Sequence, residues 1–181
     1  MKKHMLGWNV VVTVRDFKRA CEVLSAFGRV EKTDFYNTLV MKVEDVPRML
    51  ETLRSRYLQD PEHLNFLSRL IPVDRTFVFN SADEFENRAY RLSRAWLDRL
   101  KSKSFHVRIH RRGLREEIRS PDVEQFLDDM LLEDLRMADA KGHITFEDPD
   151  AIIDVETIRN RAGLSFCTRE QMERYPFMRL N

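Results

Sequence analysis

Residues 104–113 read Ser104-Phe105-His106-Val107-Arg108-Ile109-His110-Arg111-Arg112-Gly113. Within this stretch, Phe105, Val107 and Ile109 alternate with His106, Arg108 and His110. This period of two predicts a strand with one buried face. Arg111, Arg112 and Gly113 end the strand in a basic turn. The stretch therefore predicts a half-buried strand that delivers positive charge to one end of a sheet.

Helices are predicted on both sides of this strand. Residues 82–100 carry Phe85, Ala89, Leu92, Trp96 and Leu100 at helical spacing, which predicts one amphipathic helix with Trp96 in the core. After the basic turn, Ser120-Pro121 predicts a helix start, with Ser120 as the N-cap. Strands are expected at 143–146, 152–158 and 164–167.

The first part of the chain has a different order of elements. Strands are predicted at 8–14, 29–33 and 38–43, and Asp16 is expected to cap a helix that Gly28 ends. A second helix follows from Val46, giving the order β-α-β-β-α that opens a ferredoxin-like unit. Its closing strand is less clear, because Leu64, Leu67 and Leu70 favour a short helix and residues 76–79 favour a strand.

The fold class predicted from these patterns is α+β, with two domains. Residues 1–70 are expected to form a ferredoxin-like βαββαβ domain, and residues 71–181 an α/β domain with a mixed sheet. The 181 residues, 43% hydrophobic and 34% charged, are enough for a buried core and exclude a disordered tail.

The location predicted for the protein is the cytoplasm. Cys21 and Cys167 are far apart and form no CxxC motif, which is typical of reduced thiols. Lys2 and Lys3 resemble the start of a signal peptide, but the apolar stretch from Val10 to Val14 is too short for one. No stretch approaches the length of a membrane span, so no membrane is expected as a partner.

Charge is strongly segregated along the chain, although the formal net charge is only +1. Residues 88–119 contain eleven basic and three acidic residues, whereas residues 121–156 contain two basic and twelve acidic residues. The first segment suits phosphate groups. The alternative is that the two segments pair with each other inside the protein. Charge pairing depends on which faces meet, so the sequence leaves both interpretations open.

Motifs for catalysis and cofactor binding are absent from the sequence. The five glycines are isolated, so no phosphate-binding glycine loop can form, and no GxSxG motif occurs. His106 and His110 are four residues apart, but on a strand this separates them by about 13 Å, too far to share a metal ion. We therefore expect no catalytic residue, no metal, no cofactor and no enzymatic activity.

The second half of the chain resembles a THUMP domain. The resemblance lies in residues 104–113, in the turn Pro149-Asp150, in Ile152-Ile153-Asp154-Val155-Glu156 and in Ala162-Gly163-Leu164-Ser165. It covers about residues 75–175, and residues 67–73 are similar to the inter-domain stretch of stand-alone THUMP proteins that assist tRNA cytidine acetyltransferase. THUMP domains usually follow a ferredoxin-like domain, which agrees with the order of elements before residue 58.

The resemblance implies that the protein binds RNA. The expected ligand is tRNA, held at its acceptor end, and the expected role is that of a non-catalytic adaptor for a separate tRNA-modifying enzyme. The residues expected to contact RNA share a basic or hydrogen-bonding side chain near the basic strand or in a later turn. They are Arg108, Arg111, Arg112, Lys101, Lys103, His110, Arg88, Arg91, Arg159 and Arg161.

A second function is compatible with the sequence. The acidic segment 121–156 could dock a basic protein partner, which would make the chain a protein–protein interaction module. The sequence does not determine the oligomeric state.

Replacement of Arg108, Arg111 and Arg112 together by Ala is predicted to abolish most tRNA binding at low salt, because it removes three cations from the basic strand and turn. Fluorescence anisotropy with labelled tRNA measures the effect. Unchanged affinity would show that these residues are not the binding site.

Overall fold

The computed structural model describes residues 7–180 and has an α+β fold, as predicted. The described chain divides into two compact units. One extends to Val73 and also contains Gln171–Arg179, and the other is Asp74–Glu170 with Leu180. Lys2 and Lys3, considered above for a signal peptide, lie outside the described residues.

Within residues 7–73, the first unit contains four strands, two α-helices and a 3-10 helix. In chain order these are β1 (Val10–Val14), α1 (Phe17–Leu24), β2 (Gly28–Lys32), β3 (Thr38–Val43), α2 (Val46–Gln59), a 3-10 helix (Pro61–Leu64) and β4 (Leu67–Pro72). The strands form an antiparallel sheet in the order β2-β3-β1-β4. The segment Gln171–Arg179 also belongs to this unit. Within it, the Phe177 carbonyl accepts a hydrogen bond from Leu70 N–H over 3.0 Å.

Two predictions in the first unit are wrong. Leu67 and Leu70 lie on strand β4 and not on a short helix, because the helical turn after Pro61 ends at Leu64. Gly28 opens β2 and does not end α1, which ends at Leu24. An added Cβ at Gly28 would lie 2.1 Å from the Lys42 carbonyl oxygen, so the glycine permits the close approach of β2 to β3.

The second unit contains a five-stranded mixed sheet and its helices. In chain order these are β5 (Arg75–Val78), α3 (Ala82–Ser93), a 3-10 helix (Arg94–Trp96), α4 (Leu97–Leu100), β6 (Ser104–His110), α5 (Ser120–Met137), β7 (His143–Ile144), β8 (Ala151–Ile158), β9 (Arg161–Thr168) and α6 (Arg169–Arg174), which runs on into the first unit. The strand order is β5-β9-β8-β6-β7, and β6 runs parallel to β7 and β8.

Strand β6 has the two faces that its sequence predicts. Phe105, Val107 and Ile109 join the main hydrophobic core of the second unit, which also contains Trp96. His106, Arg108 and His110 occupy the opposite face and lie in register with Ile152, Asp154 and Glu156 of β8. The sheet therefore has one apolar face, packed on its helices, and one polar face.

Helix α5 completes the hydrogen bonding of β6. Strand β7 is only two residues long and pairs with Ser104 and Phe105 of β6. The rest of β6 therefore has no strand neighbour on that side within the described chain. There the N–H groups of Val107 and Ile109 donate to the carboxylates of Asp128 and Glu124, each over 2.8 Å. Two acidic side chains of α5 thus take the place of a neighbouring strand.

The two helical predictions next to β6 need correction. The segment 82–100 is not one helix, because a 3-10 turn at Arg94–Trp96 separates α3 from α4. Ser120 is the first residue of α5 and not its cap, and the capping position is taken by Arg119. Pro121 does lie in the first turn, as predicted.

Among the helices of residues 7–180, none is both long enough and apolar enough to cross a membrane.

Asp128→Asn tests the contact between α5 and β6. Burial raises the pKa of Asp128 from its usual value to about 7. Because its pKa is higher in the folded than in the unfolded state, Asp128 reduces stability as pH rises from about 4 to about 7. Asparagine still accepts the Val107 hydrogen bond without a charge. The variant should therefore gain stability relative to wild type at pH 8, and this gain should disappear at pH 5.

Urea unfolding at the two pH values measures this effect. Asp122→Asn is the matched control, because Asp122 is an exposed carboxylate in the first turn of the same helix. Asp128→Ala should lose about 1–3 kcal/mol, since it leaves the Val107 N–H without its acceptor. Equal pH dependence of wild type and Asp128→Asn would contradict this role.

Candidate nucleic-acid interface

The carboxyl ends of β6 and β8 carry two loops that are joined by hydrogen bonds. The first loop follows His110 and the second follows Ile158. Arg159 N–H donates to the Arg112 carbonyl over 2.9 Å, and Arg112 N–H donates to Thr157 Oγ1 over 2.9 Å. Ligands of α/β sheets commonly bind outside the carboxyl ends of parallel strands. This end of the second unit is therefore the candidate interface.

A buried charge cluster lies directly beneath these loops. Asp154 and Glu156 of β8 have no solvent exposure. His110 Nδ1 donates to Asp154 Oδ1 over 2.8 Å, and the Arg112 guanidinium forms an ion pair with Glu156. Burying a carboxylate without a compensating charge is costly. His110 and Arg112 therefore have a structural role, in addition to any contact with RNA.

Four of the predicted RNA-binding residues surround this cluster. Arg108 is half-buried on β6, and Arg111 is half-buried with one guanidinium nitrogen donating to the Gly113 carbonyl over 2.8 Å. Arg159 is exposed, with a left-handed backbone of φ 55°. Arg161 donates to Thr76 Oγ1 over 3.1 Å. With His110 and Arg112, these residues form a group at one end of the sheet.

The other four predicted residues lie outside these two loops, although the Arg88 guanidinium donates to the carbonyl of Val78, the strand partner of Arg161, over 3.0 Å. Lys101 and Lys103 precede β6, so Lys103 is about 26 Å along the chain from Arg111 if the strand spacing is continued. Lys101 is paired with Asp98 over 2.7 Å. Arg88 and Arg91 are exposed on α3, where Arg88 pairs with Glu84 over 2.9 Å. The structure thus separates the ten predicted residues into three groups.

Both interpretations of the segregated charge apply, each to different residues. Arg112 pairs with Glu156 and Arg94 pairs with Asp134 over 3.0 Å, so part of the basic segment is neutralised by the acidic one. Arg115, in contrast, is exposed and has no hydrogen bond or ion pair with any residue in the range 7–180. The basic segment is therefore divided between internal pairing and free surface charge.

Three residues outside the predicted set lie near Lys103 or His106, in the segment before and after β7. The main chain of Lys141 and His143 bonds to residues 102 and 103, which brings these exposed side chains next to Lys103. Phe146 is 66% exposed, and its ring lies 5.0 Å from that of His106. Phe146 was assigned to a strand in the sequence, but β7 ends at Ile144 and Phe146 lies in the turn that follows.

His106 is a buried imidazole on the polar face of the sheet. Burial lowers its pKa below the usual value. Its Nδ1 lies 3.1 Å from the Val107 carbonyl, which can only accept, so Nδ1 carries the proton. Nε2 is then an acceptor, and it has no hydrogen-bond partner within residues 7–180.

One group of side chains in the described part of the chain has the composition of a metal site. His110, Asp154 and Glu156 each offer a ligand atom, and these atoms lie within 4.8 Å of one another. His106 does not belong to this group. Imidazole and carboxylate ligands suit a divalent cation such as Zn²⁺ or Mn²⁺. Arg112 already supplies positive charge to Glu156, so a cation would compete with a charge that the fold provides.

Similarity to known proteins is detectable only in three dimensions. No protein-family model matches the chain. No protein of curated function matches its sequence significantly. Among solved structures, PH1313 from Pyrococcus horikoshii has a TM-score of 0.60 at 11% identity, covering 89% of this chain and 54% of its own.

Two further structures show the same fold. TrmN from Thermus thermophilus has a TM-score of 0.57 at 16% identity, covering 88% of this chain and 44% of its own. A 4-thiouridine synthetase–RNA complex with bound ATP has a TM-score of 0.53 at 10% identity, covering 89% and 41%. These similarities support a THUMP-like fold. The chain spans about half of the length of these proteins.

The expectation that the protein is not an enzyme is contradicted by this comparison. The similar structures include a synthetase, and two others are described as candidate methyltransferases. The fold thus occurs in enzymes whose chains extend well beyond the matched region. Missing catalytic motifs in these 181 residues therefore do not exclude enzymatic function.

Arg112→Ala is predicted to destabilise the fold by about 3–5 kcal/mol, because it leaves the buried Glu156 carboxylate without its guanidinium partner. Arg112→Ala combined with Glu156→Gln should recover part of this loss. Urea unfolding gives the free energies. Arg115→Ala, an exposed arginine in the same loop, is the control and should change stability by less than about 0.5 kcal/mol. Equal stability of the two single variants would contradict the structural role of Arg112.

Proposed function

We propose that this chain binds RNA, and that its ligand is tRNA contacted near the acceptor end. One observation carries the proposal. Exposed and half-buried arginines of two linked loops lie together in a fold that also occurs in a 4-thiouridine synthetase–RNA complex. Arginine guanidinium groups match the geometry of phosphate oxygens. Recognition of this kind follows the shape and backbone of the RNA.

The binding surface we propose consists of Arg111, Arg115, Arg159 and Arg161 at the carboxyl ends of β6 and β8. Arg108, His110 and Arg112 lie beside it, and we propose Arg108 as a further contact of this surface. Lys101 and Lys103 form a second contact region, together with Lys141. Arg88 and Arg91 on α3 are proposed as outer contacts, which a long helical RNA could reach.

We further propose that the bound tRNA is presented to an RNA-modifying enzyme, with this chain as an adaptor for a separate partner. TrmN and the 4-thiouridine synthetase among the similar structures favour a role in tRNA modification. We expect the setting to be the cytoplasm. Cys21 and Cys167 are both free thiols, which agrees with a reducing compartment.

For the first part of the chain, we propose a ferredoxin-like domain. The supporting observations are the order of its elements and the strand order β2-β3-β1-β4 in an antiparallel sheet. The division into a domain of residues 1–70 and a THUMP domain of residues 71–181 stays a proposal as well.

The alternative function, docking of a basic protein partner on segment 121–156, receives less support. Glu124 and Asp128 accept hydrogen bonds from β6, and Asp134 accepts from Tyr90 and pairs with Arg94. Asp154 and Glu156 are buried. Much of the acidic segment is therefore occupied within the second unit.

The double variant Arg115→Ala/Arg159→Ala is predicted to weaken tRNA binding by about tenfold, because two phosphate contacts are lost without removing a buried charge. Fluorescence anisotropy at fixed salt gives the affinity. Arg136→Ala is the matched control, an exposed arginine that pairs with Glu133 on α5.

A minihelix with the acceptor stem and its single-stranded end should retain most of the affinity of the full tRNA. Wild-type affinity for the double variant would show that these loops are not the interface. No measurable binding of tRNA by the wild-type chain would contradict the function itself.

A further inference from the structure

A pocket of about 250 Å³ lies beside the proposed arginine surface, within the second unit. Its floor includes Phe79 and Ile118, both almost fully buried. Its rim carries the side chains of Asn80, Glu117 and Asn160, which are exposed. An apolar floor with a few polar groups at the rim is the usual composition of a small-ligand site.

The pocket is connected to the arginine surface by the chain itself. Asn160 lies between Arg159 and Arg161, and Leu114, which also lines the pocket, precedes Arg115. Phe79 N–H donates to the Asn160 carbonyl over 3.0 Å, which fixes the rim to the floor. The pocket is therefore lined by residues that are directly adjacent in sequence to the arginines. A ligand whose phosphate contacts these arginines would lie next to the pocket.

The charge around the pocket selects a neutral ligand. Helix α3 begins at the pocket, but Asp83 and Glu84 already occupy its first turn, and Glu84 accepts hydrogen bonds from the Asn80 main chain and side chain. Glu117 adds another carboxylate at the rim. An anion is disfavoured here, in contrast to most helix N-termini. A neutral planar group with hydrogen-bonding edges is favoured.

The size of the pocket limits the ligand to a single ring system. Pockets for drug-sized molecules are roughly 300–1,000 Å³, somewhat larger than this one. Asparagine amides can donate and accept at a base edge, and a carboxylate accepts from an exocyclic amino group. Unpaired bases that are turned out of a strand are the usual targets of base-specific RNA recognition.

We propose that this pocket binds one unpaired nucleobase with an exocyclic amino group, while the adjacent arginines hold the flanking phosphates. The inference rests on the proposed RNA binding and assigns base recognition to residues that the arginine surface does not include.

The test uses the full chain and an RNA hairpin with a single-stranded 3′ tail. In a series of oligonucleotides, each tail base in turn is replaced by an abasic ribose. Wild-type protein should lose affinity by about tenfold at one tail position, as expected for loss of one bound base. Uracil at that position should also weaken binding, because it lacks the amino group that Glu117 accepts.

Two variants alter the pocket in different ways. Ala82→Leu adds volume at a residue that lines it, and Asn160→Ala removes a rim amide. In both variants, the loss of affinity caused by the abasic ribose should become smaller, so that intact and abasic RNA bind almost equally. Matched controls are Ala95→Leu and Asn87→Ala, which change exposed residues that do not line the pocket and should keep the full penalty. Thermal unfolding of each variant checks that it is folded. If Ala82→Leu does not fold, Asn160→Ala alone tests the pocket.

The outcomes separate this inference from the proposed function. Arg115→Ala/Arg159→Ala should weaken intact and abasic RNA equally, since it acts on phosphates. If that variant weakens binding while Asn160→Ala and Ala82→Leu keep the wild-type abasic penalty, or if no abasic position matters, the pocket inference is overturned and RNA binding stands. If wild-type protein binds none of the RNAs, both fail.

Discussion

The structure of the second unit depends on the hydrogen-bond and ion-pair partners of two buried carboxylates. Asp154 and Glu156 lie side by side on the polar face of the sheet with no exposure to solvent. His110, at the end of β6, donates a hydrogen bond to Asp154, and the guanidinium of Arg112 pairs with Glu156, which makes the burial of the two carboxylates tolerable. This pairing fixes the register of the parallel strands β6 and β8 and the position of the loop after each.

The need to pair buried carboxylates also determines which basic side chains can contact a ligand. Carboxylates of α5 accept from the main chain of β6, so that helix is held by acidic residues rather than by apolar packing alone. Arg94 and Arg112, which pair with Asp134 and Glu156, stabilise the fold, whereas Arg115 is exposed. A near-neutral protein can therefore present a local basic surface, because the acidic residues closest to β6 accept hydrogen bonds from its main chain or are buried beside it.

The local patterns of the sequence were sufficient for much of the fold. The alternation in residues 104–110 and the apolar stripes of the helices depend only on short-range periodicity, and the strand β6 and the core position of Trp96 were predicted from them. Strand β4 was missed because Leu64, Leu67 and Leu70 fit a helical spacing, while pairing with β1 decides the outcome. Pairing between distant segments is not visible in local periodicity.

The candidate site was harder to predict for the same reason. Arg112 and Arg115 are both arginines in the loop after β6, and no local pattern distinguishes them. Only the tertiary fold shows that Arg112 forms a buried ion pair whereas Arg115 is exposed. The pocket beside them is assembled from three separate stretches of chain, and no motif marks it. Phe146 was predicted to lie in a strand, because no local sequence pattern indicates that β7 ends at Ile144.

The most direct test of this division of charge is the dependence of tRNA affinity on salt concentration for the wild-type chain. Each phosphate contact adds close to one unit to the slope of the logarithm of affinity against the logarithm of salt, so a divided basic segment predicts a slope for roughly three to six contacts. A slope near zero would contradict RNA binding through these cations. A slope near ten would contradict the internal pairing, because nearly all cations of residues 88–119 would then contact RNA.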